Sequence, residues 1–209
     1  MFEVEYKGAN SVAISTKKGT IITDPKLSLV GLKDVNTKDL IELATEARFA
    51  LNNEAARLNI EGPGEYGIAD FDIHGIAAQR HLDADGKAST IYRIEAGEVR
   101  VALLGNIYEK LTEDQLEEIG LIDVLIIPIG GNGYTLDATG AATLARQIDP
   151  KIVVPIHYED LAIKYEVAQG DFETFAKELG GTVEEAPKLK IKQIGAVPET
   201  LTIYKLARN

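Results

Sequence analysis

Asp123-Val-Leu-Ile-Ile-Pro-Ile-Gly-Gly131 and Pro150-Lys-Ile-Val-Val-Pro-Ile-His-Tyr158 decide how the rest of the chain is read. Val124–Ile129, like Val99–Leu104 before it, is a nearly continuous apolar run, the pattern of a strand covered on both faces, and Lys151–Ile156 reads as a buried strand ending at His157. Between them Asp137 stands as a cap before Ala138–Ile148, a helix with Ala142, Leu144, Ala145 and Ile148 turned inward. Downstream the rhythm continues: a helix over Phe172–Leu179 stopped by Gly180-Gly181, then strands at Thr182–Glu185, Leu189–Ile194 and Leu201–Leu206. Upstream, Thr112 and Gln115 form a capping-box pattern at the head of a helix that ends at Gly120. Thr90–Ile94 and Val99–Leu104 read as strands before it.

The first half is richer in strands. Phe2–Tyr6, Ser11–Ser15 and Gly19–Thr23 form a meander with turns at Lys7–Asn10 and Lys17–Gly19, closed by Asp24-Pro25. Lys38–Ala44 reads as a short helix with Leu40, Ile41 and Ala44 on one face. Arg48–Leu51 and Ala56–Ile60 read as short strands around Asn52-Asn53, followed by a rigid turn at Gly62-Pro-Gly-Glu-Tyr66. Phe71–Ile76 alternates, with Phe71 and Ile73 on one side and Asp72 and His74 on the other. No linker or composition break divides the chain, so we expect one α/β layered domain over residues 1–209.

A chain of 209 residues buries roughly 70% of the surface its unfolded form exposes, enough to fold unaided. With 45% hydrophobic and 26% charged residues it is neither disordered nor fibrous, and no apolar run is long enough to span a bilayer. Zero cysteines exclude a disulfide framework, a thiolate nucleophile and a thiolate metal site. The first residues lack a basic patch and apolar run, so a cytoplasmic protein with no membrane partner is expected. Lys plus Arg is 22 against 33 Asp plus Glu, a net charge of −11 that opposes binding to a phosphate backbone. The short series Lys188, Lys190 and Lys192 alternates along a strand, on a solvated face. Nucleic acid is therefore not an expected partner.

The chain has no phosphate-binding glycine-lysine loop, no dinucleotide fingerprint and no nucleophile elbow. Its three histidines, His74, His81 and His157, include no His-x-His or His-x-x-x-His pair. His157 stands directly after an apolar strand, at the edge where layered α/β folds bind ligands. It reads equally as a pocket residue or as a histidine hydrogen-bonded at a strand-to-loop junction. His74, on the face of Asp72, and His81, in the polar loop Arg80–Gly86, read first as solvated side chains. Gly130-Gly-Asn-Gly133 reads first as a permissive turn.

Taken in order, Thr20–Pro25, Gly62–Tyr66, Ile91–Ile94, Leu103–Asn106, Thr112–Leu116, Asp123–Gly131, Tyr134–Asp137 and Pro150–Tyr158 resemble the metallo-β-lactamase-fold superfamily. The branch most similar contains ascorbate-phosphate lactonase-like hydrolases, and the likeness covers residues 1 to about 160 well. The resemblance implies a four-layer αββα sandwich with its site on the edge of two sheets. It also implies a His-x-His-x-Asp-His motif holding two metals that activate a bridging hydroxide. The matching segment is Thr45–Asn53, where the motif positions fall on Glu46, Arg48, Ala50 and Leu51. The next ligand position falls on Arg80 or His81, and that of the bridging aspartate on Asn106. His157 alone matches outright, while Asp24, the Gly-Pro-Gly turn, Gly130-Gly131 and Asp137 persist as framework.

These replacements lead us to expect a pseudoenzyme, a non-catalytic binding or assembly protein without catalytic residues, metal ligands or cofactor. Its vestigial pocket would be lined by His157, Asn106, Arg48, His81, Glu46 and Asp24, and an arginine with a histidine favours a small anion. In the plainer version Arg48 fills the void and pairs with Glu46 or Asp24. The relatives make a homo-oligomer plausible. The alternative is a metal-dependent hydrolase, lactonase or phosphodiesterase-like, with a mononuclear zinc or manganese site of His157, His81 and either Asp24 or Glu46.

Overall fold

The computed structural model describes residues 1–82 and 88–209, and builds two twisted sheets face to face. The first holds β1 (Phe2–Gly8), β2 (Ser11–Ser15), β3 (Thr20–Thr23), β4 (Ile41–Ala44), β5 (Leu58–Glu61) and β13 (Leu189–Ile191), in the order β13-β1-β2-β3-β4-β5. The second holds β6 (Gly64–Ile68), β7 (Phe71–Gln79), β8 (Ala88–Ala96), β9 (Val99–Leu103), β10 (Val124–Pro128), β11 (Ile152–Ile156), β12 (Thr182–Ala186) and β14 (Thr202–Leu206). Its order is β12-β14-β11-β10-β9-β8-β7-β6. The α/β sandwich expected from the sequence is therefore formed.

Alternation places the two cores. Val4, Ile14, Ile21, Leu43, Ile73, Ile94, Val101 and Ile126 point into the space between the sheets. Leu125, Ile127, Val153 and Ile203 point the other way and pack under α1 (Glu113–Ile119), α2 (Ala138–Ile148) and α3 (Phe172–Leu179). That division explains why β10 and β11 are apolar throughout: each strand feeds both cores. Among the described residues, all three α-helices cover the second sheet. On the outer face of the first sheet, Lys188 and Lys190 pair with Glu3 beside β1, solvated as the alternation indicates.

Helix ends follow the sequence signals. Thr112 and Gln115 make the full capping box, while Asp137 accepts from Gly140 N and Asp171 from Thr174 N, each at 2.7 Å. The Gly62-Pro-Gly turn carries the chain from β5 in one sheet to β6 in the other, with Gly62 at φ 97° and Gly64 at φ 153°. Tyr92 pins this corner: its hydroxyl donates to Ala44 O at 2.8 Å and accepts from Gly62 N at 3.1 Å.

Three segments differ from the sequence reading. The expected helix over Lys38–Ala44 is strand β4, parallel to β3 and β5 and buried at all four positions. Four apolar-rich residues satisfy either period, and two neighbouring strands with open edges decide between them. Arg48–Leu51 begins as a 3₁₀ turn over Ala47–Phe49 instead of a strand, because Phe49 N closes on Glu46 O at 2.9 Å. Strand β13 stops at Ile191, and Ile194–Ala196 forms another 3₁₀ turn. Of the polar loop expected over Arg80–Gly86, residues 83–86 lie outside the described residues. No helix among the described residues is long and apolar enough to cross a membrane.

Candidate functional site

Four chain segments meet at one edge of the sandwich. The turns after β3, β4, β9 and β11 deliver Asp24, Glu46 with Arg48, Asn106 and His157. Asp24 and His157 both take left-handed backbone, φ 42° and 51°, which a side chain with a Cβ adopts only at a cost of about 1 kcal/mol. Pro25 disfavours the right-handed helical region for Asp24. His157 is held by backbone hydrogen bonding: its N–H donates to Ala9 O at 3.0 Å, with the Tyr6 hydroxyl at 3.3 Å.

Asp24 is buried and serves the framework. Its Oδ1 accepts from Thr45 N and its Oδ2 from Thr45 Oγ1, both at 2.7 Å. Burial, opposed by those two bonds, raises its pKa to about 7. Gly105 makes this contact possible, since a Cβ there would stand 2.7 Å from Thr45 Cβ and Oγ1.

Glu46, with 5% of its side chain exposed, lies between two arginines. Arg48 Nε stands 2.9 Å from Oε2, with Nη2 donating to Oε1 at 3.3 Å. Arg80 Nε reaches Oε2 at 2.7 Å. The Arg48 guanidinium also lies over the rings of Phe49 and Tyr134, 4.5 and 5.2 Å from their centroids. The carboxylate is thus the acceptor for two fixed cations, and it further accepts from Asn106 Nδ2 at 3.2 Å.

From Asn106 the bonding runs on into the sandwich. Its Oδ1 accepts from Asn10 Nδ2 at 3.0 Å, and Asn10 Oδ1 lies 2.8 Å from His157 Nδ1. The His157 ring is stacked on Tyr165 at 4.8 Å and tilted against Tyr134 at 5.5 Å. Burial, then the nearby Arg48 charge, push its pKa down to about 3, so the imidazole is neutral at physiological pH. Among the described residues its buried Nε2 has no partner. A cavity of about 100 Å³ opens there, lined by His157, Asp24, Arg48, Tyr134, Tyr165 and Gln169 among others.

Five of the six residues singled out in the sequence therefore meet: Asp24, Glu46, Arg48, Asn106 and His157 are joined by contacts or by the cavity. His81 stands apart. Its Nδ1 faces Ile107 O at 3.1 Å, and it is Arg80, its neighbour, that enters the site. Asn10 and Tyr165 complete the site without a sequence signal of their own, and Tyr134, the first residue of the Tyr134–Asp137 segment, joins them. Among the described residues, no three His, Cys, Asp or Glu side chains are gathered to hold one cation.

Relatives agree with this architecture. A UPF0173 protein from Pyrococcus furiosus is 40% identical over 88 residues, 42% of this chain and 37% of its own. A UPF0173 metal-dependent hydrolase from Thermoplasma acidophilum is 38% identical over 71 residues, 32% of this chain and 29% of its own. The matched segments thus span about a third of these relatives' length. Among solved structures, a member of the metallo-β-lactamase superfamily from Thermotoga maritima superposes with a TM-score of 0.77 at 22% identity, covering 99% of this chain and 100% of that one. The metallo hydrolase Igni18 from Ignicoccus hospitalis gives 0.65 at 17% identity, covering 85% and 90%. Both likenesses concern the fold. The family described as beta-lactamase superfamily domain matches residues 3–157, and the chain belongs to it, within the metallo-β-lactamase-fold superfamily.

Proposed function

We propose that the chain is a non-catalytic member of its superfamily that acts by binding, with an internal ion pair where the fold's catalytic metals would stand. The observation carrying this reading is Glu46 held between Arg48 and Arg80. A divalent cation needs lone pairs from imidazole or carboxylate, and a guanidinium offers none while keeping its charge. Two such charges beside the one carboxylate repel a metal ion and use the oxygens it would need. The resemblance sets Glu46 and Arg48 on the motif itself and Asn106 on the bridging carboxylate. These residues do not fit a dinuclear centre.

A mononuclear hydrolase is the second reading, favoured by the name metal-dependent hydrolase borne by two of the relatives. It would draw on the free Nε2 of His157 and on Asp24 beside the same cavity. Against it, both Asp24 oxygens accept from Thr45, and His81 turns to Ile107.

Metal-stripped protein titrated with zinc and manganese separates the two. The binding reading expects no stoichiometric uptake and a melting temperature indifferent to chelator, since an ion bound only by the native state must raise it. Tight one-to-one uptake with phosphodiesterase or lactonase turnover, lost in His157→Ala, overturns it.

A further inference from the structure

The hydrogen-bond chain ending at His157 has only one consistent polarity. A carboxylate between two guanidinium groups can only accept, so Asn106 must aim its amide N–H at Glu46 and its oxygen at Asn10. Asn10 then donates through Nδ2 and presents its oxygen to His157 Nδ1. An oxygen 2.8 Å from that nitrogen requires a hydrogen on it. A second proton would leave a buried charge with no partner at Nε2 among the described residues, so Nε2 carries a bare lone pair. His157 is 3% exposed, and buried acceptors of this kind are almost always satisfied. Gln169 repeats the pattern: its Nε2 donates to Val167 O at 2.9 Å, leaving buried Oε1 without a donor among the described residues. Both orphaned acceptors line one cavity, whose other walls include Leu27, Phe49, Tyr134 and Tyr165, the last with a buried hydroxyl also without a partner among the described residues.

We propose that this cavity binds a small neutral organic molecule with a hydroxyl group on a compact apolar body, the hydroxyl donating to His157 Nε2 and the body lying against Tyr134 and Tyr165. The assignment rests on the binding reading above, because a metal would claim the same lone pair. A fully deprotonated anion could accept from Tyr165 Oη, a buried hydroxyl also without a partner among the described residues, but has no hydrogen for His157 Nε2, whereas a hydroxyl group can serve both. An amine is disfavoured because Arg48 already covers the Phe49 and Tyr134 rings with positive charge. A closed cavity of about 150 Å³ holds benzene. A space of about 100 Å³ with an open mouth therefore suits a body of that order, with part of it projecting outward.

The test uses the full chain, metal-stripped and labelled with ¹⁵N in histidine, and follows the imidazole nitrogens by NMR. The free protein is expected to show a pyrrole-type Nδ1 and a pyridine-type Nε2 at His157. Phenol at millimolar concentration should move the Nε2 resonance and bind at least tenfold more tightly than toluene, which has the same ring without the donor. Inorganic phosphate should leave Nε2 unmoved. His157→Phe keeps an aromatic ring in place and should erase the preference for phenol. Should that variant not fold, the wild-type spectra still decide. A proton on Nε2, equal affinity for phenol and toluene, or a shift produced by phosphate alone overturns the proposal. Metal uptake would sink the non-catalytic reading separately, leaving the phenol and toluene results on the metal-free protein to be judged on their own.

Discussion

Arg80 Nε meets Glu46 Oε2 at 2.7 Å, and Arg48 Nε closes on the same oxygen at 2.9 Å while Asn106 holds the other. Glu46→Ala leaves two cations facing each other and Asn106 Nδ2 without its acceptor. With Arg48 and Arg80 side chains 32% and 21% exposed, solvent screens part of the repulsion. The expected loss is about 2 kcal/mol, read as a lower urea midpoint at unchanged slope. Glu46→Gln keeps an oxygen for Asn106 and should cost roughly half as much.

Asp24 and His157 pull the pH profile in opposite directions. Asp24 has a folded pKa raised to about 7, above its unfolded value near 3.8, so the native state binds the extra proton and stability falls as pH rises between the two. His157 has a folded pKa lowered to about 3 from 6.5, so the unfolded state binds the extra proton and stability rises with pH across that window. Each contributes on the order of 4 kcal/mol, and between about pH 4 and 6.5 they largely cancel. Asp24→Asn mimics the protonated acid: Oδ1 still accepts from Thr45 N, and the amide donates to Thr45 Oγ1. The variant should be more stable than the parent at pH 8 and show a rising profile from pH 4 to 6.5, measured by urea unfolding at each pH.

Gly105 has no positive φ to explain it, only proximity. In Gly105→Ala the new Cβ meets Thr45 Cβ and Oγ1 at 2.7 Å, and Thr45 is the residue that satisfies both Asp24 oxygens. Overpacking at a buried corner costs about 2 kcal/mol. Thr45→Ser keeps both of those atoms and relieves only the methyl contact at 3.2 Å, so little of that loss should return in the double variant, as a thermodynamic cycle would report.

Asn106→Asp sets a second carboxylate where Asn106 Nδ2 now approaches Glu46 Oε1 at 3.2 Å. Two carboxylates that close cannot both ionise, so one takes up a proton with a strongly raised pKa. We expect a loss of about 2 kcal/mol at pH 8, mostly regained at pH 5, and no rescue by zinc. Denaturation at the two pH values, with and without the metal, checks both parts.

What the sequence discloses depends on whether its signal is local. Strands β10 and β11, the three helices and their caps are legible because apolar period and capping residues lie side by side. Strand β4 is misread as a helix because Glu42 interrupts an apolar run and mimics a polar helical face. It is in fact buried, its Oε1 accepting from Leu51 N at 2.6 Å and Asn52 N at 2.8 Å. In the site, Glu46, Arg48, Asn106 and His157 are found from ordered motifs. Asn10 is not: it reads as a turn residue, and only folding brings it to His157, 147 positions away. The ambiguity between Arg80 and His81 is resolved by the short bridge of Arg80 to Ile107, which turns one side chain inward and the next outward.

The left-handed bends at Asp24 and His157 carry one more implication. Packing and hydrogen bonds from the protein itself support both bends in the described chain. A scaffold that holds its rim open by itself is free to exchange whatever furniture stands inside. Grafting histidines at positions 46 and 48 and an aspartate at 106 would thus begin from finished architecture, with side chains alone left to evolve.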